Sequence, residues 1–274
     1  MEFAEDFRRF IAPDAERLVA LAGMLASRGL PYSVIRTGET RHLALRVGRG
    51  APSLILIAHY DRVAGSPGVL DNSCACLELA DFAATVLHSG ASSSPSFLIV
   101  FTDGEEAPGW SGDVSSQGSF GLAQALAVRS VPPLVLVFDV TGRGDRLLLS
   151  SAPAELLARA GRGEGELASA HGELVGLARR AAKRAGLKEP LSLPLPWSDD
   201  LGLLLGGMGA LTVSLLPEEE ASLLSRGGSP PTWALLHSPK DVPEAAEEAS
   251  LALMASFLEA LALELPLSPA LPEK

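Results

Sequence analysis

Three short, unbroken apolar runs constrain this chain more than any other feature: LILIA at 54–58, FLIVF at 97–101 and LVLVF at 134–138. Each is short for a helix, rich in branched or aromatic side chains, and lacks the alternation of a strand with one wet face. That is the pattern of strands buried on both sides, as in parallel sheets covered by helices. A helical pattern over 73–87 separates the first two runs, and a shorter one over 122–128 precedes the third. A fourth apolar run, 211–216, follows a glycine-rich stretch. This alternation predicts an α/β fold: a central, mostly parallel mixed sheet flanked by helices on both faces.

The rest of the chain fits around that frame. Leu18, Leu21 and Leu25 recur at helical spacing over 14–28, and the pattern stops at Gly29. YSVIRT and HLALRVG read as strands joined in a hairpin at Gly38-Glu39-Thr40. Residues 154–186 are mostly helical with a glycine-rich break at 161–165, and an amphipathic helix closes the chain over 244–263. Segments 107–119 and 218–232 read as long polar loops, candidate lids over a site, and 266–274 as a frayed tail. With no repeat and no linker, residues 1–274 are expected to form one domain.

Bulk properties narrow the function classes. Aromatics make up only 5% of the 274 residues, so the core must come mainly from Leu, Ala and Val. A formal net charge of -11 argues against nucleic acid, whose phosphates need clustered Lys and Arg. Two stretches lack Asp, Glu, Lys and Arg, 82–102 and 201–217. One contains His88 and a Ser-rich run and the other four glycines, so both read as a loop joined to a buried strand, and no membrane partner is expected. The acidic N-terminus lacks the order of a signal peptide. Cys74 and Cys76 are too close together for an ordinary disulfide staple, and a cytoplasmic location is expected.

The strand reading also makes a geometric prediction. LILIA runs directly into His59-Tyr60-Asp61, FLIVF into Thr102-Asp103-Gly104-Glu105-Glu106, and LVLVF into Asp139. Open α/β sheets collect function at the carboxyl ends of their strands, so a His and several carboxylates should share one edge. Taken singly, each residue has a plainer explanation. His59 could cap a strand, Asp71-Asn72 could N-cap a helix, and Glu105-Glu106 could be a solvated turn. Together with Asp71 and the late His237 they form a mixed nitrogen and oxygen set. That set suits zinc, with manganese or cobalt as alternatives. Carboxylates converging without a cation would repel one another and rise in pKa. Two divalent ions would remove that conflict.

The segments AHYD (58–61), GVLDNSCACLELA (68–80), DGEE (103–106), FDVTG (138–142), SDD (198–200) and HSPKD (237–241) occur in this order. With them the chain resembles metallopeptidase family 28, dizinc aminopeptidases of clan MH related to glutamate carboxypeptidase and glutaminyl cyclase. The resemblance implies the zinc-exopeptidase, phosphorylase/hydrolase-like fold. It implies one zinc on His59 and Asp139, a second on Glu106 and His237, and Asp71 bridging them. Glu105 would be the general base, acting on a metal-bridging water, and Asp61 would orient His59. A cis peptide after Asp71 is implied as well. The expected activity is removal of an N-terminal residue from a peptide or small aminoacyl substrate.

Two departures bear on substrate choice. Asp200 stands where many relatives have His or Tyr after Ser198-Asp199, and Leu236 stands where several have an aromatic before the last His. Trp197, Asp199, Asp200 and Trp233 are therefore candidates for the substrate pocket. The alternatives are a glutaminyl-cyclase-type acyltransferase, which uses a single zinc, and a deacylase or carboxypeptidase. The last would need a cation for the substrate carboxylate, for which Arg62 and Arg143 are candidates. A non-catalytic scaffold is the remaining possibility, though such relatives usually lose ligands. Cys74 and Cys76 read as buried small hydrophobes, and His42, His88 and His171 as surface or structural residues. Oligomeric state is not legible in the sequence.

Overall fold

The computed structural model describes residues 2–48, 50–89, 95–106, 114–127 and 134–265. The tail 266–274 and the first part of the 107–119 segment fall outside these residues. Strands β1 (Ser33–Thr37) and β2 (Thr40–Val47) form the expected hairpin. They are followed by β3 (Leu54–His59), β4 (Phe97–Thr102), β5 (Leu134–Phe138), β6 (Arg146–Ser150), β7 (Leu191–Leu193) and β8 (Gly209–Leu216). One eight-stranded sheet results, in the order β1-β2-β4-β3-β5-β8-β6-β7. The central four, β4-β3-β5-β8, are parallel; β2 joins β4, and β6 joins β8, in antiparallel sense. The mixed α/β sheet expected from the sequence is what the chain forms.

Both faces are covered, which explains the unbroken apolar runs. Leu54, Leu56 and Ala58 of β3 point into one core with Phe97, Ile99, Phe101, Leu136 and Phe138. Helices α1 (Glu5–Phe10), α2 (Arg17–Ser27), α3 (Cys74–His88), α6 (Glu166–Arg184) and α9 (Glu248–Glu264) contribute to that core. Ile55 and Ile57 point the other way, with Leu98, Val100, Val135 and Val137, beneath α4 (Gly118–Ala127) and α7 (Asp199–Leu205). Alternate side chains of each strand thus serve opposite cores. None of the described helices is long and apolar enough to cross a membrane.

The structure corrects several local expectations. Residues 218–232 are not a plain loop: α8 (Glu218–Ser225) begins directly after Pro217, with Glu218, Glu219 and Glu220 in its first turn. Acidic side chains there complement the partial positive charge of a helix N-terminus. Glu220 is buried and accepts the Thr232 N–H at 2.8 Å. Helix α4 begins at Gly118, inside the segment read as loop. The break at 161–165 falls where expected, between α5 (Ala152–Arg159) and α6. Strand β6, the edge strand β7, and the short helices α1 and α7 carry too little periodic pattern to stand out in sequence.

Candidate metal centre

His59 is the last residue of the central strand β3, beside Thr102 of β4, and is fully buried. Where β4 ends, the chain turns sharply through Gly104 at φ 80, where a Cβ would come within 2.8 Å of Thr40, and then presents Glu105 and Glu106. Asp139 follows β5 and donates its N–H to the Val213 carbonyl of β8 at 3.1 Å. Three adjacent strand ends therefore deliver a His and three carboxylates to one edge. Asp71 arrives from the turn Val69–Ser73 that precedes α3. Gly68 opens this turn at φ 64, with room for a Cβ denied by the Asp71 carbonyl 2.8 Å away. The Asp71–Asn72 peptide is cis.

His237 comes from the far end of the sequence. Its Nε2 lies 3.0 Å from Asp71 Oδ2 and 3.0 Å from Glu106 Oε1. His59 Nε2 lies 3.1 Å from Asp71 Oδ1 and 3.6 Å from Asp139 Oδ1. Ligand atoms thus gather in two triads, His59–Asp71–Asp139 and Asp71–Glu106–His237, each with its atoms within 4.8 Å of one another. Asp71 belongs to both, one oxygen facing each histidine. A third grouping, His59–Glu105–Glu106, sets Glu105 against the same centre.

Whether these side chains fit a cation can be judged from the hydrogen bonds they leave unmade. Among the described residues, His59 Nε2, Glu106 Oε1 and Asp139 Oδ1 are buried without a hydrogen-bond partner. Buried polar atoms are normally satisfied, and three such atoms converging on one point fit the donor set of a cation. Nitrogen and carboxylate donors with no thiolate suit zinc or a neighbouring divalent ion. Asp61 supports the nitrogen donor: its Oδ1 is 3.6 Å and its carbonyl 3.3 Å from His59 Nδ1. With Nδ1 donating toward Asp61, Nε2 keeps its lone pair for the centre. The other Asp61 oxygen accepts the Glu106 N–H at 2.8 Å, so one side chain steadies two ligand-bearing turns.

The electrostatics of the metal-free chain reflect this crowding. Burial, reinforced by Asp71, pushes Glu106 up to about 7. Burial also holds Glu105 well above the carboxylate range, with Asp139, Asp199 and Glu106 adding to the effect. Asp71 moves the other way: burial raises it, but the imidazoles of His237 and His59 close beside it prevail and lower it. His59 is raised well above the usual imidazole value: burial opposes its charge, yet Asp139, Asp61 and Asp71 outweigh it.

Beside the ligands opens a cavity of about 400 Å³. Trp197, Trp233, Leu195, Leu236 and Val140 form apolar wall, and Gln117, Thr212 and Ser214 add polar edges. Val140 holds φ 52, unusual for a β-branched residue, and its carbonyl accepts the Leu215 N–H and the Ser214 hydroxyl, each at 3.1 Å. The structure separates the four pocket candidates. Trp197 and Trp233 line the cavity, whereas Asp199 and Asp200 are fully buried and do not. Asp199 accepts the Thr102 hydroxyl and Asp200 the Ser198 N–H, so both brace the strand end and the start of α7 from behind. Burial pushes them up to about 6 and about 7. Gln117, Val140, Leu195, Thr212 and Ser214 were not singled out in sequence: none carries a charge, and only Val140 lies in one of the motif segments, FDVTG. A larger hollow of about 720 Å³, lined by Arg17, Arg41, Arg62 and Asp61, contains none of the ligand side chains and is not the reaction site.

Comparison with known proteins places the chain in a family and a fold. The model of peptidase family M28 matches residues 43–260. No match was found among the curated proteins. A leucine aminopeptidase precursor from Bacteroides thetaiotaomicron superposes with a TM-score of 0.68 at 16% identity, covering 94% of this chain and 93% of that one. A Zn-dependent exopeptidase from Parabacteroides distasonis gives 0.67 at 16% identity, over 94% of each chain. Porphyromonas gingivalis glutaminyl cyclase gives 0.67 at 14% identity, over 95% of each. At such identities the likeness is one of fold, while the family match spans most of the sequence. The chain belongs to peptidase family M28.

Proposed function

We propose that this protein is an aminopeptidase working with two divalent ions, zinc or in its place cobalt or manganese. The observation that carries the reading is the sharing of Asp71 between two ligand triads. His59 and Asp139 would hold one ion, Glu106 and His237 the other, and Asp71 both. Ions bound there would supply Lewis acidity toward the scissile carbonyl and toward water. Glu105 stands against the centre, where it can take a proton from the attacking water. Water oxygen bonds to the carbonyl carbon, the carbon–nitrogen bond breaks, and the proton held by Glu105 passes to the departing amine. Asp61 keeps His59 oriented throughout.

The lining of the cavity favours the amino end of a peptide. Its charged residues are Asp71, Glu105, Glu106, Asp139 and His237, with neither Lys nor Arg among the described lining residues. A free α-ammonium suits such a site and a substrate carboxylate does not. Arg62 and Arg143, the cations a carboxypeptidase or deacylase would require, are engaged elsewhere. Arg62 donates to the carbonyls of Ile11, Ala12, Pro13 and Pro67, and Arg143 to that of Ala245. The substrate is then a peptide or small aminoacyl compound. The buried free thiols of Cys74 and Cys76 suit the cytoplasmic location proposed with it.

Metal analysis beside a panel of aminoacyl chromogenic substrates tests this reading. Two ions per chain with release of the amino-terminal residue is expected; two ions with no turnover across the panel would refute the activity. The indole walls of Trp197 and Trp233 favour a second reading, cyclisation of N-terminal glutamine. One ion per chain with loss of ammonia from such a peptide would replace the first reading by the second.

A further inference from the structure

The loop that carries Asp71 and the loop that carries His237 lie 166 positions apart and must meet to within a few tenths of an ångström. One side chain joins them. Asp241, four residues after His237, is fully buried and accepts two consecutive backbone N–H groups of the Asp71 turn. Oδ1 takes the N–H of Leu70 at 2.6 Å and Oδ2 that of Asp71 at 3.2 Å. The Asp241 carbonyl takes the N–H of Val69 at 3.4 Å. On its own side, Asp241 donates its N–H to the Ser238 carbonyl at 3.2 Å, and Lys240 donates to Ser238 Oγ at 3.1 Å. The resulting tight turn begins directly after His237, which itself sits at φ 55.

We propose that Asp241 is a positioning residue for the dinuclear centre: its carboxylate locks the Asp71 and His237 loops into one unit and so sets metal affinity at both sites. A carboxylate presents two acceptor oxygens at the spacing of two successive N–H groups, and charge-assisted bonds of this kind are strong. Asn cannot reproduce the arrangement, because its amide nitrogen would face one N–H with another. Ala leaves both donors buried and unpaired. Since Asp71 has an oxygen toward each histidine, a shift of its backbone reaches both triads at once. His59 and Asp139, mounted on strand ends, have no such dependence. The inference rests on metal binding at this centre and is independent of the substrate.

Zinc titration of the metal-free full-length protein by calorimetry, with thermal unfolding of the same samples, provides the test. For Asp241→Asn and Asp241→Ala, the dissociation constants of both ions should rise by about 10–100-fold, the range seen when groups supporting metal ligands are removed. A residue serving stability alone would lower the melting temperature of the metal-free protein and leave zinc affinity of the folded fraction unchanged; that result overturns the proposal. Loss of affinity at only one ion also overturns it. Amide hydrogen exchange on the native chain needs no variant. The Leu70 and Asp71 amides should exchange slowly before zinc is added, and exchange as fast as an open loop contradicts the lock. Absence of zinc binding by the unmodified protein would refute the metal reading itself, a separate outcome.

Discussion

The two histidines that meet at Asp71 reach it from opposite kinds of structure. His59 ends a central strand, hydrogen-bonded into a sheet with covered faces, and its side chain is 0% exposed. His237 sits on a loop in the left-handed region, and its side chain is 58% exposed. One arm takes its position from the strongest part of the fold; the other takes it from a turn tied down at Asp241. Attraction between a cation and its ligands is strong where water is excluded and weak where it is screened. The centre therefore combines a rigid, tightly held side with one open to solvent, the side from which a substrate must enter.

Glu105 belongs to neither arm, and its replacement separates chemistry from metal holding. Glu105→Gln should lower kcat/KM by about 10²–10⁴-fold, the usual worth of a positioned base, with zinc content unchanged. Loss of zinc along with activity would make Glu105 a ligand instead, and kinetics beside metal analysis distinguish the two.

The rigid arm should also be visible in acid. His42 on β2 is buried, and its Nδ1 accepts the N–H of Asp103 at 3.2 Å in the turn leading to Glu105. Burial pushes its pKa down to about 4. Because the folded value lies below the unfolded one near 6.5, the stabilising contribution of neutral His42 is full above about pH 6.5 and is lost progressively toward pH 4. The loss should amount to about 3 kcal/mol. Urea unfolding of the metal-free protein and of His42→Gln across that window measures it as the difference between the two curves, because the raised carboxyls of Glu106, Asp199 and Asp200 act in the opposite sense.

A direct contrast of the arms comes next in size. His59→Ala should weaken zinc at its site at least about tenfold more than His237→Ala does at the other. Equal losses would show that burial does not separate the two sites. The smallest effect is expected at the pocket wall, where Trp197→Ala should raise KM about 3–10-fold with little change in kcat.

Much of this was readable in sequence because ligand and strand are covalently continuous. An apolar run that is buried on both faces must end where water begins, and His59, Glu105, Glu106 and Asp139 stand within a few residues of that point. Asp71 and His237 have no such marker; on local grounds they are turn residues, and only the family pattern joined them to the others. Helix α8 was hidden because its acidic first turn looks like solvated loop until Pro217 and the N-terminal dipole are considered together. The neighbours Trp197, Asp199 and Asp200 show the limit most clearly. Close in sequence, they face different ways, since Trp197 precedes the helix that Asp199 and Asp200 begin, and what packs against each sets its direction.

The amino-acid sequence by itself determined the strand cores, the edge at which the chemistry gathers, and the nitrogen and oxygen character of the donor set, all consequences of local pattern and covalent order. Tertiary structure alone decided that Asp71 would face two histidines, that Asp241 would hold its loop, and that Trp197 and Trp233 would line the cavity while Asp199 and Asp200 would not. Those outcomes depend on hydrogen bonds and packing between separate segments, in the case of Asp71 with His237 and Asp241 more than a hundred residues apart, whose energies no short stretch of sequence contains.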